Sequence, residues 1–206
     1  ESLNRPFHVM VKPCGPVCNL VCEYCYYLPK TYLYPNSDFR MSNDLLADFT
    51  RQMIAGQPGG EVTFSWQDGE PTLMGLDFFK EAVRLQKEMA PTGLRVTNVI
   101  QTNGTTLTPD CADFLKTRFL VGLSLDGPPE THNAYHRYQA GHGTINQALR
   151  AVNLLTGQEV DFNILCCVHL GNQDQPLSVY QFFRDSLAVE FIQFIPILQR
   201  KLDQHG

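Results

Sequence analysis

Short apolar runs alternate with amphipathic stretches along almost the whole chain of 206 residues. The runs are rich in β-branched and aromatic residues, a composition that favours strands. Several are apolar at consecutive positions, as expected for strands that are buried on both faces of a parallel sheet. The predicted strands span residues 7–11, 61–66, 94–102, 119–125, 160–168 and 189–195.

Between the predicted strands, apolar residues recur at the three- and four-residue spacing of a helix. Ser42 is a favourable residue to begin the first helix, Pro109 begins the third pattern, and Pro176 precedes the fifth. The helical patterns cover residues 45–53, 78–83, 109–116, 145–155 and 179–183. This alternation predicts an α/β fold built from six βα units around a parallel sheet.

The segments with the most distinctive chemistry all follow predicted strands. A cysteine-rich loop follows the first strand, and residues 67–71, 102–104 and 126–128 follow the second, third and fourth. In parallel α/β folds, reactive groups gather at the C-terminal ends of strands. We therefore expect these segments to form a single site.

The composition of the chain excludes nucleic acids and membranes as expected binding partners. The chain has 16 lysines and arginines against 21 aspartates and glutamates, a formal net charge of −5, and no basic run. It therefore lacks the cationic surface expected of a nucleic-acid-binding protein. No apolar run approaches the ~18 residues of a membrane-spanning helix, so we expect no membrane partner. Because the cysteines outside the loop do not form a disulfide framework, we expect a cytoplasmic protein.

Three cysteines in the sequence CNLVCEYC, Cys18, Cys22 and Cys25, carry the clearest chemical signal. Three thiolates can bind three irons of a [4Fe–4S] cluster and leave the fourth iron open to a small molecule. An alternative uses Cys14 as a fourth ligand of a structural zinc ion. In that case the chain would be a metal-stabilised binding module without catalytic activity.

The pattern Cys-x₃-Cys-x-aromatic-Cys resembles the cluster loop of the radical S-adenosylmethionine (SAM) superfamily. Four further segments resemble anaerobic sulfatase-maturating enzymes within that superfamily, in the same order, and the similarity runs from about residue 6 to the end of the chain. These segments are WQDGEPTL at 66–73, QTNGT at 101–105, SLDGP at 124–128 and FIQFIP at 191–196.

The resemblance implies a partial (β/α)₆ barrel, similar to a TIM barrel but open on one side. It implies a [4Fe–4S] cluster and SAM as cofactors, with Cys18, Cys22 and Cys25 as metal ligands. The implied reaction uses a 5′-deoxyadenosyl radical to convert a serine or cysteine of a sulfatase polypeptide into Cα-formylglycine. The implied partners are that polypeptide and an electron donor such as a ferredoxin or a flavodoxin.

The resemblance also implies which residues bind SAM. Tyr24 corresponds to the aromatic residue beside bound SAM, and Ser124 to a residue that hydrogen-bonds it. Either His136 or Arg137 corresponds to the arginine that pairs with the SAM carboxylate, and the choice stays open. The remaining SAM-binding candidates are Gly69 and Glu70 of the Gly-Gly-Glu-Pro-like turn, and Leu198 as a residue that packs against adenine.

This chain departs from the family at Asp68, where glycine is usual. The carboxylate could meet the SAM ammonium group, or it could be tolerated by a backbone with a non-positive φ.

We expect residues 1–206 to form a radical SAM core domain, truncated before a C-terminal domain that holds auxiliary clusters and the catalytic base. The sequence therefore identifies no catalytic residue. Another radical SAM modification of a peptide, such as a thioether or carbon–carbon crosslink, is the alternative enzymatic function.

Overall fold

The computed structural model describes residues 5–197, which form an α/β structure around one sheet of six parallel strands. The strands are β1 (Met10–Val11), β2 (Glu61–Trp66), β3 (Arg95–Thr102), β4 (Phe119–Ser124), β5 (Phe162–Val168) and β6 (Ile192–Pro196). The helices are α1 (Asn43–Gly56), α2 (Leu76–Met89), α3 (Pro109–Lys116), α4 (Pro129–Tyr135), α5 (Ile145–Gly157) and α6 (Pro176–Gln181). Two 3₁₀ turns, Leu28–Leu33 and Pro71–Met74, and a π-helical turn, Phe182–Ser186, complete the described elements.

The spatial order of the strands is their order in the chain, and every neighbouring pair is parallel. Within the described residues, β1 and β6 are the two edges, so the sheet does not close into a barrel. The predicted α/β class and the partial (β/α)₆ barrel are therefore confirmed.

The first strand is shorter than predicted. Met10 is opposite Ser65, so continuing the parallel register backwards would place Phe7 opposite Val62. Instead, the Phe7 carbonyl accepts a hydrogen bond of 2.9 Å from the Gln57 side chain, and Phe7 is exposed. The chain therefore joins the sheet only at Met10, just before the cysteine loop.

Helix α4 lies in a segment, residues 126–143, that the sequence predicted to be a loop. Its seven residues are mostly polar, and only His132 is buried. Because no apolar stripe marks its inward face, the helical period was not recognisable from the sequence. By contrast, α1 begins as predicted, because the Ser42 hydroxyl accepts a hydrogen bond from the Leu45 N–H.

The main core lies between the sheet and the helices on its outer face. Phe64 and Trp66 of β2 are fully buried, and Phe49, Phe78 and Phe79 pack edge-on against one or both of them. Edge-to-face packing of this kind adds to the stabilisation that burial provides. This packing fixes β2, and therefore the turn that follows it, against α1 and α2.

We predict that Phe64→Ala lowers the free energy of unfolding by about 3–5 kcal/mol, because the truncation leaves a cavity in this aromatic cluster. The measurement is anaerobic urea unfolding of the metal-free chain. Phe191→Ala is the matched control: its side chain is 66% exposed, so the change should stay within about 0.5 kcal/mol. Equal losses in the two variants would contradict this description of the core.

Candidate cofactor site

The cysteine loop, residues 14–25, follows β1 and lies across the C-terminal ends of neighbouring strands. Asn19 donates a hydrogen bond of 2.8 Å to Thr105 and accepts one of 3.0 Å from Asn103, both beyond β3. On the opposite side, Leu20 is buried and forms an antiparallel bridge with Tyr138. The loop is therefore fixed from two sides by segments that are distant in the sequence.

Two of the three cysteine sulfurs lie close to nitrogen atoms that can donate hydrogen bonds. Cys18 Sγ accepts from the Leu20 N–H at 3.4 Å and lies 3.7 Å from Asn103 Nδ2, and Cys22 Sγ lies 3.6 Å from His136 Nδ1. Burial raises the pKa of the Cys18 thiol to about 12, so its thiolate form needs a nearby positive charge. A metal ion supplies that charge, so these cysteines are suitable ligands for an iron–sulfur cluster.

Cys14 is directed away from these three cysteines. Its thiol donates to the carbonyl of Glu70 at 3.2 Å and to that of Val17 at 3.5 Å, and burial raises its pKa to about 11. It therefore behaves as a protonated packing residue.

Within residues 5–197, no three histidine, cysteine, aspartate or glutamate side chains converge on a single metal ion, which disfavours the zinc alternative. A cubane is different, because its irons occupy separate corners and its ligands need not converge on one point.

The turn after β2 lies directly against the cysteine loop, and Gly69 makes this contact possible. A Cβ atom on Gly69 would collide with the Val17 carbonyl oxygen and would lie 2.6 Å from that of Gly15. Gly69 also has φ +58°, in the left-handed region that favours glycine. Only a glycine fits at this position, and the group that approaches it is the backbone of the cysteine loop.

Glu70 connects this turn to the end of β3. Its carboxylate is fully buried and accepts hydrogen bonds from Thr72, from the Thr102 hydroxyl at 2.7 Å and from the Asn103 N–H at 2.7 Å. Burial raises the pKa of Glu70, whereas these donors lower it. Glu70 thus orders the ends of two strands from inside the protein.

Asp68 has φ +67°, so the expectation of a non-positive φ at this position is wrong. The left-handed backbone explains why glycine is usual here. The Asp68 carboxylate lies 2.5 Å from Lys12 Nζ, and the same ammonium group lies over the Tyr27 ring. Asp68 therefore has a cationic partner within the chain.

A buried polar network connects Tyr24, in the cysteine loop, to Asp126, which follows β4. The Tyr24 hydroxyl donates to Asp126 Oδ2 at 2.7 Å, and His136 Nε2 lies 3.0 Å from the same oxygen. The Cys167 N–H donates to Asp126 Oδ1 at 2.8 Å. Although burial would raise the pKa of Asp126, the neighbouring His136 outweighs it and holds that pKa well below its usual range.

Most of the predicted site residues are brought together, but not all. Tyr24, Gly69, Glu70, Ser124 and His136 lie at the C-terminal ends of the strands, together with the three cysteines. Arg137 is exposed, and its guanidinium donates to the Asn133 carbonyl on α4. Leu198 lies outside the described residues.

Sequence reasoning missed several residues that organise this site. Asp126 and Asn103 directly follow predicted strands, so their position could have identified them. His169, whose Nε2 lies 3.4 Å from Asp126 Oδ2, and Cys167, which contacts Asp126 through its backbone, belong to no recognisable motif. Only the three-dimensional arrangement reveals these two.

An open parallel α/β barrel, with three cysteines of one loop at the C-terminal ends of its strands, defines the class of protein. The sequence profile of the Radical SAM superfamily matches residues 13–183, and the chain belongs to this superfamily. Its cofactors are those of the superfamily, a [4Fe–4S] cluster and SAM.

Within the superfamily, the chain is similar to anaerobic sulfatase-maturating enzymes. It is 42% identical to the serine-type enzyme of Bacteroides thetaiotaomicron over 95% of its own length and 47% of that enzyme. It is 34% identical to the cysteine-type enzyme of Clostridium perfringens (strain ATCC 13124), over 98% of its own length and 54% of that enzyme. The chain thus spans about half the length of these relatives.

Solved structures agree with this relationship. The structure of native anSMEcpe with bound AdoMet superposes with a TM-score of 0.85 at 36% identity, covering 92% of this chain and 51% of that one. Streptococcus suis SuiB bound to its precursor peptide superposes with a TM-score of 0.66 at 14% identity, which shows a shared fold only. No helix among residues 5–197 has the length and apolar character needed to span a membrane.

We predict that Gly69→Ala destabilises the chain and prevents the cysteine loop from taking its position. The control is Gly93→Ala, at φ +89° with no atom within 4 Å of the new Cβ, which adds only the cost of the left-handed backbone. The steric overlap should make Gly69→Ala about 1–3 kcal/mol worse than this control in urea unfolding. It should also lower the iron bound after anaerobic reconstitution, and normal iron loading would contradict the prediction.

Proposed function

We propose that this chain is the SAM-binding core of an anaerobic sulfatase-maturating enzyme, with residues 1–206 forming one radical SAM domain. The observation that supports this most strongly is the convergence of the cysteine loop with the ends of β2, β3 and β4 through Gly69, Asn103 and Asp126. We propose Cys18, Cys22 and Cys25 as the three protein ligands of the cluster.

We propose that SAM binds beside the cluster, between the ends of β2 and β4. Tyr24 is held in place by Asp126, while Glu70 orders the turn in which the Gly69 backbone meets the amino group. Ser124, half-buried at the end of β4, has a hydroxyl that can donate to the SAM carboxylate.

His136 and Arg137 differ in their relation to this site. Arg137 is exposed and bonded to Asn133, whereas His136 is buried beside Cys22. Both ring nitrogens of His136 face groups of the protein, Cys22 on one side and Asp126 and Tyr24 on the other. We therefore assign His136 to the cluster end of the site and leave the carboxylate to Ser124.

The proposed reaction is that of the relatives. With the cluster reduced and SAM bound, the site would supply a 5′-deoxyadenosyl radical able to take hydrogen from Cβ of a substrate serine or cysteine. The chain itself positions SAM, and its buried network excludes water from the cluster. The proposed partners are a sulfatase polypeptide and a one-electron donor such as a ferredoxin or a flavodoxin. Structures of anSMEcpe with bound peptides support a peptide substrate.

We propose a cytoplasmic location, because a cluster of this kind and the seven free cysteines of the chain both suit a reducing compartment. We also propose that oxidation to the aldehyde is completed with an auxiliary-cluster domain beyond residue 206. The SAM-binding core alone then releases 5′-deoxyadenosine without forming formylglycine.

We predict that replacing Cys18, Cys22 or Cys25 individually with serine removes most of the iron and abolishes release of 5′-deoxyadenosine. Cys14→Ser is the matched control, because Cys14 bonds to carbonyl groups and not to the cluster. It should retain its iron and sulfide after anaerobic reconstitution, measured by metal analysis. A colourless chain loaded with zinc, or equal losses in all four variants, would contradict the proposed ligand set.

The experiment that tests the whole function combines the full-length gene product with a sulfatase peptide, SAM and a reductant without oxygen. We expect a serine peptide to lose two hydrogen atoms and to gain an aldehyde that a hydrazine reagent captures, with 5′-deoxyadenosine formed; a crosslinked peptide would lose the same mass without gaining an aldehyde. A peptide that instead gains an internal crosslink would indicate the alternative radical SAM modification. An unchanged peptide together with active SAM cleavage would contradict sulfatase maturation.

A further inference from the structure

His136 lies between a proposed cluster ligand and a buried carboxylate. Its Nδ1 is 3.6 Å from Cys22 Sγ, and its Nε2 is 3.0 Å from Asp126 Oδ2 and 2.6 Å from the Tyr24 hydroxyl. His136 is 4% exposed, and its ring stacks on that of His132 at a centroid distance of 4.3 Å. The ring is therefore held on both edges and on one face.

The chemistry of an iron-bound cysteine fixes the direction of the bond at Nδ1. A cysteine bound to iron is a thiolate without a proton, so a hydrogen bond between it and Nδ1 requires the nitrogen to donate. On the other edge, the Asp126 carboxylate accepts from the Tyr24 hydroxyl and from the Cys167 N–H, which holds it 3.0 Å from Nε2. A ring that donates from both nitrogens is the imidazolium form, and Asp126 is its counter-ion. Asp126 therefore directs the ring toward the sulfur.

We propose that His136, oriented by Asp126, donates a hydrogen bond to the sulfur of Cys22 and raises the reduction potential of the cluster. This inference depends on the proposed ligand set. Donors to cluster sulfurs favour the reduced state, because they stabilise its additional electron density. His136 is thus a positioning residue that acts through a cluster ligand.

The position of His136 also bears on the choice left open between His136 and Arg137. By resemblance, one of these two positions corresponds to the family arginine that pairs with the SAM carboxylate. A histidine is shorter, and in this chain its two nitrogens reach Cys22 and Asp126. In this proposal His136 acts on the cluster and not on the SAM carboxylate.

The test is an anaerobic redox titration of the reconstituted protein, followed by electron paramagnetic resonance in the absence of SAM. We expect His136→Phe to favour the oxidised state about tenfold, a fall in midpoint potential of about 59 mV for one electron. His136→Gln keeps an N–H donor, so its midpoint potential should fall by less than that of His136→Phe. His142→Gln is the matched control, since His142 is exposed and should leave the potential unchanged.

Asp126→Asn provides a second, independent variant that leaves the imidazole in place. It weakens the group that orients the ring and should lower the potential by less than His136→Phe does. If His136→Phe fails to retain iron, the midpoint potentials of His136→Gln and Asp126→Asn, compared with that of the unmodified protein, test the inference instead. Unchanged potentials in iron-loaded variants would overturn the inference. Failure of the proposed function would appear differently, as loss of SAM cleavage or of iron from the unmodified protein.

Discussion

The arrangement of the site depends on one close backbone contact, between the cysteine loop and the turn that follows β2. Gly69 lies so near the carbonyls of Gly15 and Val17 that no side chain fits there. The adjacent Glu70 N–H donates to the Val17 carbonyl at 2.9 Å. Because β2 is itself fixed by the buried aromatic cluster, this contact transfers the rigidity of the core to the loop.

Two buried carboxylates extend this order to the remaining strands. Glu70 connects the turn after β2 to the end of β3, and Asp126 connects Tyr24 to the ends of β4 and β5. A buried carboxylate is costly unless it is hydrogen-bonded, so each one imposes a specific arrangement on its donors. The cysteine loop thus lies between two polar networks that hold it without participating in metal binding.

The sequence was sufficient to predict the parts of the fold that depend on periodicity. The six strands and five of the helices are marked by apolar patterns, and Ser42 begins α1 as its capping chemistry predicts. Helix α4 was not predictable, because its only buried side chain is His132. Likewise, β1 is short because Gln57 binds a carbonyl that a strand would have used, a contact between distant residues.

For the site, motif spacing identified the three cysteines, the glycine turn and Tyr24. It did not identify what each group touches. The direction of the Cys14 thiol, the positive φ of Asp68 and the contact of His136 with Cys22 all depend on packing between segments far apart in the chain. His169 and Cys167 contribute to the Asp126 network from β5 and the residues after it, where no motif exists.

The proposed function requires that three thiolates leave one iron of the cluster open and that SAM binds to that iron. The most direct measurement is the electron paramagnetic resonance spectrum of the reduced, reconstituted protein before and after addition of SAM under anaerobic conditions. We expect the spectrum of the cluster to change when SAM is added, both in the unmodified protein and in the iron-retaining Cys14→Ser variant. An iron-loaded protein whose spectrum is identical with and without SAM would contradict it.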